Sequence, residues 1–157
     1  MDSYFALFDM IGVLAHRRYQ MAERTFATIG LNHSEGRLLN ILRQEGGKAS
    51  QDALSALMFI DRSNAGRALK RLEAQGYITR CKDSADQRTN LVTLTQKGHK
   101  AVKMIAQLKQ QIVRNFFGEM AEQDAAKAVE LLKKALSEEE FEYRTHVPGT
   151  NRPSGKA

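Results

Sequence analysis

The segment from Asp61 to Gly98 constrains the fold more than any other part of this chain. It reads as a helix with a polar face (DRSNAGRALKRLEAQG), a strand (YITRC), a charged loop (KDSADQRTN), a second strand (LVTLT) and the start of another helix. Residues 62–97 contain eight Lys or Arg against three Asp or Glu, a local charge of +5. A basic helix followed by a basic β-hairpin suits duplex DNA, because the helix can enter a groove while the hairpin reaches the backbone.

The distribution of charge supports this interpretation. The whole chain carries +6, whereas residues 1–61 sum to −1 and residues 98–157 to +2. A pI of about 9.6 would suit either nucleic acid or a membrane surface as the anionic partner. Because the positive charge is concentrated in one segment, we expect a local DNA-binding module.

Other classes of protein are disfavoured by what the sequence lacks. The single cysteine, Cys81, excludes an internal disulfide and suits a reducing cytosol. The chain begins with acidic residues rather than a basic leader, and no apolar run approaches the roughly 18 residues of a membrane span. The histidines lack metal-ligand spacing, and no phosphate loop, nucleophile elbow or HExxH motif occurs. We therefore expect a cytoplasmic protein that is not an enzyme and has no metal or cofactor.

The apolar spacing predicts five further helices or turns of helix around this module. The first helix runs from Ser3 to about Ile29, which is longer than a compact core needs, so its apolar stripe should pack on something else. A short helix follows from Ser34 and a two-turn helix from Ser50, each with the serine as its cap. Asp61 caps the basic helix, which ends near residue 75 at a Gly76 cap.

The two strands, about 77–82 and 91–95, enclose a loop of about eight residues, longer than most hairpin loops. We interpret it as a wing. A fifth helix capped by Thr95 extends to about Phe117, and a sixth spans about 122–141. The predicted regions are an N-terminal helix at 1–33, a winged helix-turn-helix domain at 34–97, C-terminal helices at 98–143, and a disordered tail at 144–157.

In this order, the elements resemble the multiple-antibiotic-resistance regulator (MarR) family of bacterial transcription factors, over about residues 5–141. The most specific part is RLEAQGYITRCKDSADQRTNLVTLTQKG, in which the family's fixed positions correspond to Leu72, Gly76, Asp86, Arg88, Leu94, Thr95 and Gly98. The resemblance implies a homodimer, joined by its N- and C-terminal helices, that binds a pseudo-palindromic operator. It also implies that binding of a small aromatic or anionic effector lowers the affinity for DNA.

One departure from the family concerns thiol chemistry. Some members sense oxidants through a cysteine in the first helix, and this chain has none there. Cys81 lies in the strand that enters the wing, so a structural role is the first interpretation. Its neighbours Arg80 and Lys82 keep redox sensitivity open as a second one.

The candidate DNA contacts fall on the polar face of the 61–75 helix, on the wing, and at the start of the Ser50 helix. Arg67 can pair with guanine, Arg88 can enter a minor groove, and Asp86 is expected to hold the wing loop or Arg88 in place. Solvated surface remains the alternative for each of them, and plain capping for the Ser50 helix. The predicted DNA-binding residues are Ser50, Gln51, Arg62, Ser63, Asn64, Arg67, Lys70, Arg80, Lys82, Asp86, Gln87 and Arg88.

The first helix also carries a cluster, His16, Arg17 and Tyr19, where the family often places an effector cleft. Surface or dimer packing is the alternative role. The sequence as a whole thus predicts a mainly α fold with a small β-hairpin, a winged helix-turn-helix domain with a helical dimerisation lobe. Its expected function is sequence-specific regulation of transcription, most simply repression. The alternatives are a non-specific architectural DNA-binding protein and a winged-helix protein-interaction module, and an enzyme is the weakest alternative because no catalytic constellation occurs.

Overall fold

The computed structural model describes residues 1–58, 61–138 and 140. These residues form six helices and three strands. In chain order the elements are α1 (Asp2–Ala27), α2 (His33–Gln44), β1 (Lys48–Ser50), α3 (Gln51–Met58), α4 (Arg62–Ala74), β2 (Ile78–Lys82), β3 (Asn90–Leu94), α5 (Gln96–Phe117) and α6 (Glu122–Lys133). The mainly α winged helix-turn-helix fold expected from the sequence is confirmed, and the bounds of α1, α4 and α5 agree with it to within about two residues.

The sheet has one strand more than the sequence predicted. Its order is β1-β3-β2, and all of its pairs are antiparallel. In the register, Ala49 faces Val92 on one side of β3 and Arg80 faces Val92 on the other. A three-residue strand shows no readable alternation, so β1 exists because β3 offers it hydrogen-bonding partners rather than because its own sequence favours a strand.

The core of the winged domain lies between α2, α4, the sheet and the first half of α5. Its side chains are apolar and repeat at helical spacing, which is why the amphipathic segments fold against one another. The most deeply buried include Leu38, Leu39, Leu42, Leu54, Met58, Leu69, Leu72, Ile78, Val92, Val102 and Ile105. This core places the opposite face of α4 in solvent.

Two glycines allow close contacts that hold the long helices to the winged domain. A Cβ on Gly36 would lie 2.7 Å from the ring of Phe26, so glycine lets α1 pack directly on α2. A Cβ on Gly98 would lie 2.2 Å from the carbonyl oxygen of Tyr77, so glycine lets the first turn of α5 lie against the backbone that enters β2.

The predicted cap of α2 is wrong. Asn32, not Ser34, is the N-cap, and its side-chain oxygen accepts a hydrogen bond from the Glu35 N–H at 2.8 Å. The Glu35 carboxylate in turn accepts from the Asn32 N–H at 2.9 Å. This capping box satisfies two backbone donors that a Ser34 cap would leave unpaired.

Helix α6 ends at Lys133, earlier than the predicted 141. Its last turn tightens into bonds three residues apart, from Lys134 N–H to the Leu131 carbonyl and from Leu136 N–H to the Lys133 carbonyl. The Ser137 hydroxyl then accepts from the Glu140 N–H at 3.2 Å, which is a capping contact that starts a new turn.

Residues 1–118 form one compact unit, and a second begins at Glu119. The predicted disordered tail lies outside the described residues. Among those that are described, no helix is long and apolar enough to cross a membrane.

Candidate nucleic-acid interface

Helix α4 presents the exposed polar face that the sequence predicted. Its opposite face, formed by Ala65, Ala68, Leu69 and Leu72, is buried in the core. The helix follows α3 after a short connection, which is the arrangement of a helix-turn-helix unit whose second helix reads DNA. The exposed side chains of α4 include Arg62, Ser63, Asn64, Arg67 and Lys70.

A chain of hydrogen bonds orders the first two turns of this face. The Asp61 carboxylate caps the helix by accepting from the Asn64 N–H at 2.8 Å and from the Asn64 side-chain amide at 2.6 Å. The Asn64 side-chain oxygen then accepts from the Arg67 guanidinium. The hydrogen bonds from Asn64 lower the pKa of Asp61. Arg67 is thus held along the exposed face with other N–H groups left to donate.

The other cations of the face differ in their partners. Arg62 lies 3.4 Å from the Asp52 carboxylate of α3, and both side chains are exposed, so this pair is weak. Lys70 forms no ion pair with any residue in the described part of the chain. It is therefore available to an external anion.

Gly66 lies on the side of α4 that faces α3 rather than solvent. A Cβ there would meet the side-chain nitrogen of Gln51 at 3.6 Å, an ordinary contact distance. The Gln51 side-chain oxygen is buried and has no hydrogen-bond partner among the described residues. The side chain of Gln51, the first residue of α3, thus lies against α4. Ser50 uses its hydroxyl to cap α3, accepting from the Ala53 N–H at 3.1 Å.

Asp86 organises the wing loop. Its carboxylate accepts from the Arg88 N–H at 3.0 Å and from the Thr89 hydroxyl at 3.1 Å. The Gln87 side chain donates to the Asp83 carbonyl at 3.1 Å. Asp86 therefore fixes the backbone of Arg88, while the exposed Arg88 side chain forms no ion pair within the described structure.

Arg80, predicted to contact phosphate, is engaged within the protein. Its Nε and Nη2 groups both donate to Oε2 of Glu73, at 2.9 and 2.7 Å, and its backbone N–H donates to Oε1 at 3.2 Å. The bonds from Arg80 lower the pKa of Glu73. Because Glu73 lies on α4, the pair joins α4 to β2, the strand that leads into the wing. Lys82, two residues along β2, is exposed.

Cys81 is exposed on β2. It borders a shallow depression that is also lined by Glu73, Arg80, Lys82 and Asn90. The thiol is therefore a surface group of the wing rather than a core residue.

The three residues of the proposed effector cluster do not converge. The Arg17 guanidinium stacks on the Phe116 ring at 5.1 Å and lies 3.5 Å from the Asn115 carbonyl, near the end of α5. Tyr19 packs edge-on against His33 at 5.2 Å, where the charge of the neighbouring Glu23 raises the pKa of the phenol. His16 is exposed. Arg17 and Tyr19 thus tie α1 to two different helices.

Three residues that connect α4 to its surroundings were not predicted: Glu35, Arg71 and Glu73. Glu35 is completely buried, and its Oε1 lies 3.0 Å from Nε of Arg71. The spacing Asn-x-x-Glu at 32–35 is a capping-box signal that could have indicated Glu35. No local pattern reveals the partners of Arg71 and Glu73, because both contacts join residues of different elements, Arg71 with Glu35 of α2 and Glu73 with Arg80 of β2.

Comparison with known proteins places this interface in context. A sequence model described as MarR family matches residues 29–89, which extend from the end of α1 to the wing. The HTH-type transcriptional regulator SarZ of Staphylococcus haemolyticus is 27% identical over 99 residues. That match covers 63% of this chain and 65% of SarZ, slightly less than two thirds of the relative.

Two solved structures are similar over most of their length. One is a mutant of MarR from E. coli complexed with operator DNA, with a TM-score of 0.76 and 20% identity over 87% of this chain and 97% of that one. The other is BpsR of Bordetella bronchiseptica, whose DNA binding is regulated by 6-hydroxynicotinic acid, with a TM-score of 0.71 and 25% identity over 81% and 90% of the two chains.

Proposed function

From the match of residues 29–89 to the MarR family model and from the related transcriptional regulators, we propose that this chain is a MarR-family, sequence-specific DNA-binding regulator that acts as a homodimer on a pseudo-palindromic operator. The observation that supports this most directly is the polar face of α4. It is exposed, ordered at its first turns by Asp61 and Asn64, and basic through Arg67 and Lys70. A face of this kind can donate hydrogen bonds to base edges in a major groove.

The wing extends the contact to the flanking DNA. Arg88 is the candidate for a narrow minor groove, where negative potential is concentrated, and Lys82 is a candidate phosphate contact. Arg80 contributes indirectly, because Glu73 occupies its guanidinium and so fixes the wing to α4. We assign the remaining predicted contacts, Ser50 and Gln51, to the packing and capping of α3.

Homodimerisation is supported by apolar surface that one chain leaves uncovered. Helix α1 exposes large side chains on every side of its first half, and a helix that is apolar all round is ordinarily buried. Within that half, the exposed large apolar residues are Tyr4, Phe5, Leu7, Phe8, Met10, Ile11, Val13 and Leu14. A second copy of this chain is the occupant we propose for this surface.

A dimer of this kind imposes its symmetry on the target. Two recognition helices related by a two-fold axis bind half-sites about one helical turn, roughly 10 bp, apart. Repression by occlusion of a promoter in the cytoplasm is the simplest mode of action. A small aromatic or anionic effector that changes the spacing of the two α4 helices would relieve it, and the regulation of BpsR by 6-hydroxynicotinic acid supports an effector of this class.

Selection of binding sites from random duplexes tests the proposal. The full chain is expected to enrich an inverted repeat, with an affinity that falls steeply as salt rises. Enrichment of no motif, with the same salt dependence, would favour the alternative of a non-specific architectural protein. Negligible binding at physiological salt would contradict both.

A further inference from the structure

A buried carboxylate lies beneath the recognition helix. Glu35, on the first turn of α2, is the charged side chain with no exposed surface, and its only cationic contact in the described structure is Arg71 of α4. Oε1 lies 3.0 Å from Nε of Arg71 but accepts no aligned hydrogen bond, so the contact is ionic. Taking a charge out of water costs free energy, and an ion pair offsets that cost only when its partner is held in place.

The same carboxylate is tied to the beginning of α2. Its Oε2 accepts from the Asn32 N–H at 2.9 Å, which leaves Glu35 little freedom to follow a movement of α4. His33, which follows Asn32, donates its backbone N–H to the Glu23 carboxylate of α1 at 3.1 Å. Polar contacts therefore run from α1 through the cap of α2 to α4.

From this geometry we propose that Glu35 is a positioning residue that fixes the orientation of α4, and with it the sequence preference of the DNA contact. The proposal rests on the proposed function, since it concerns how that interface reads its operator. Arg71 lies one turn after Arg67 and directly after Lys70, and its side chain is 60% exposed. Without Glu35, the Arg71 guanidinium has no ion-pair partner among the described residues, and α4 can roll on its buried apolar face.

A roll of α4 affects base contacts and phosphate contacts differently. Hydrogen bonds to base edges need fixed distances and directions, so they weaken when the helix turns. Long cationic side chains such as Lys70 and Lys82 can follow the phosphates, because their contribution is mainly electrostatic. Loss of Glu35 should therefore reduce discrimination between sequences more than it reduces affinity for DNA in general.

The test compares the selected operator with a scrambled duplex at a temperature well below the unfolding midpoint. Glu35→Gln keeps an oxygen for the Asn32 N–H but removes the charge that faces Arg71. We expect the ratio of the two affinities to fall about tenfold, with the scrambled duplex bound as before. Ile105→Val, a buried substitution in α5, is the control for a moderate loss of stability and should leave the ratio unchanged.

The double variant Glu35→Gln/Arg71→Gln separates positioning from simple stabilisation. If the ion pair orients α4, each single variant removes the same interaction, so the double variant should discriminate no worse than either single one. An unchanged ratio in Glu35→Gln would overturn the inference while leaving the regulator intact. Absence of operator preference in the unsubstituted chain would instead overturn the proposed function, and the inference with it. If Glu35→Gln does not fold, Arg71→Gln is used instead, because it removes the same ion pair by changing its exposed partner.

Discussion

Glu73 of α4 holds Arg80 of β2 by three hydrogen bonds, two from the guanidinium and one from the backbone N–H. One carboxylate thus binds both the side chain and the edge of the strand that begins the wing. The contact joins α4 to the wing, the two elements that we propose contact DNA, so that they present one surface. It also covers an N–H group at the open edge of the sheet.

The first prediction concerns this pair. Arg80→Gln should lower the free energy of unfolding by about 1 kcal/mol, because a partly exposed charge-assisted contact is lost. Lys82→Gln removes a neighbouring cation that forms no ion pair with the described residues, and it should leave stability unchanged. Urea unfolding of both variants, with Glu73→Gln and the double variant, measures the effect. Additive losses in the double variant would show that Glu73 and Arg80 do not act together.

The second prediction separates base reading from phosphate contact. Arg67→Ala should weaken binding to the operator by about 1–3 kcal/mol and relax the preference at one base position, because we propose that the Arg67 guanidinium donates to a base edge. Lys82→Ala should weaken binding to all sequences alike. It should also reduce the slope of log affinity against log salt concentration by about 1. Binding to single-base variants of the operator at several salt concentrations distinguishes the two. Equal losses on every sequence for both variants would contradict the role assigned to Arg67.

The third prediction uses two glycines in contrasting surroundings. Gly98→Ala should destabilise the fold by about 1–3 kcal/mol, since its Cβ would lie 2.2 Å from the Tyr77 carbonyl oxygen and the backbone must shift. Gly66→Ala should instead stabilise the fold by up to about 1 kcal/mol through helix propensity. Its Cβ would lie 3.6 Å from the side-chain nitrogen of Gln51, which is an ordinary contact distance. Thermal unfolding of both variants checks the opposite signs. A destabilised Gly66→Ala would mean that Gln51 cannot accommodate the added methyl group.

The fourth prediction is a dependence of stability on pH through His33. Burial, followed by the charges of Arg37 and Arg18, lowers the pKa of His33 below its usual 6.5. The unfolded chain therefore binds a proton before the folded chain does, so this contribution to stability is fully present above about pH 6.5 and is lost as the pH falls through the lower folded value. His33→Gln should flatten this part of the profile. Chemical unfolding between pH 5 and 8, about the range in which histidine titrates, measures it, and an equally steep profile in the variant would assign the dependence to other groups.

The fifth prediction tests the dimer through α1. Ile11→Asp places a charge on the exposed apolar surface of the helix and should raise the dimer dissociation constant by at least tenfold, because an unpaired carboxylate would be buried in the interface. Gln20→Asp introduces the same charge at an exposed polar position of α1 and serves as the control. Sedimentation of both variants over a concentration series reports the change. A monomeric unsubstituted chain at micromolar concentration would contradict the proposed dimer.

The elements that could be predicted from sequence are those whose signals are local. The apolar spacing of α1, α4 and α5, the caps Asp61 and Thr95, and the basic charge of residues 62–97 each arise within a few turns of chain. Strand β1 could not be predicted, since its three residues become a strand only through pairing with β3. The cap of α2 was assigned to the wrong residue although its Asn-x-x-Glu spacing was visible, because Ser34 offered a competing cap.

In the candidate site as well, some features could be predicted from the sequence and others depend on the tertiary structure. By itself, the sequence determined which residue types form the polar face of α4 and the wing, because helical and strand periodicity decide which side chains share a face. Only the tertiary structure decided which of those cations have internal partners. Arg80 is bound by Glu73 and the buried Glu35 faces Arg71, whereas Lys70 and Arg88 form no ion pair among the described residues. The physical reason is that ion pairing depends on distances across the fold, and residues far apart in sequence are brought within 3 to 4 Å only when the core has packed.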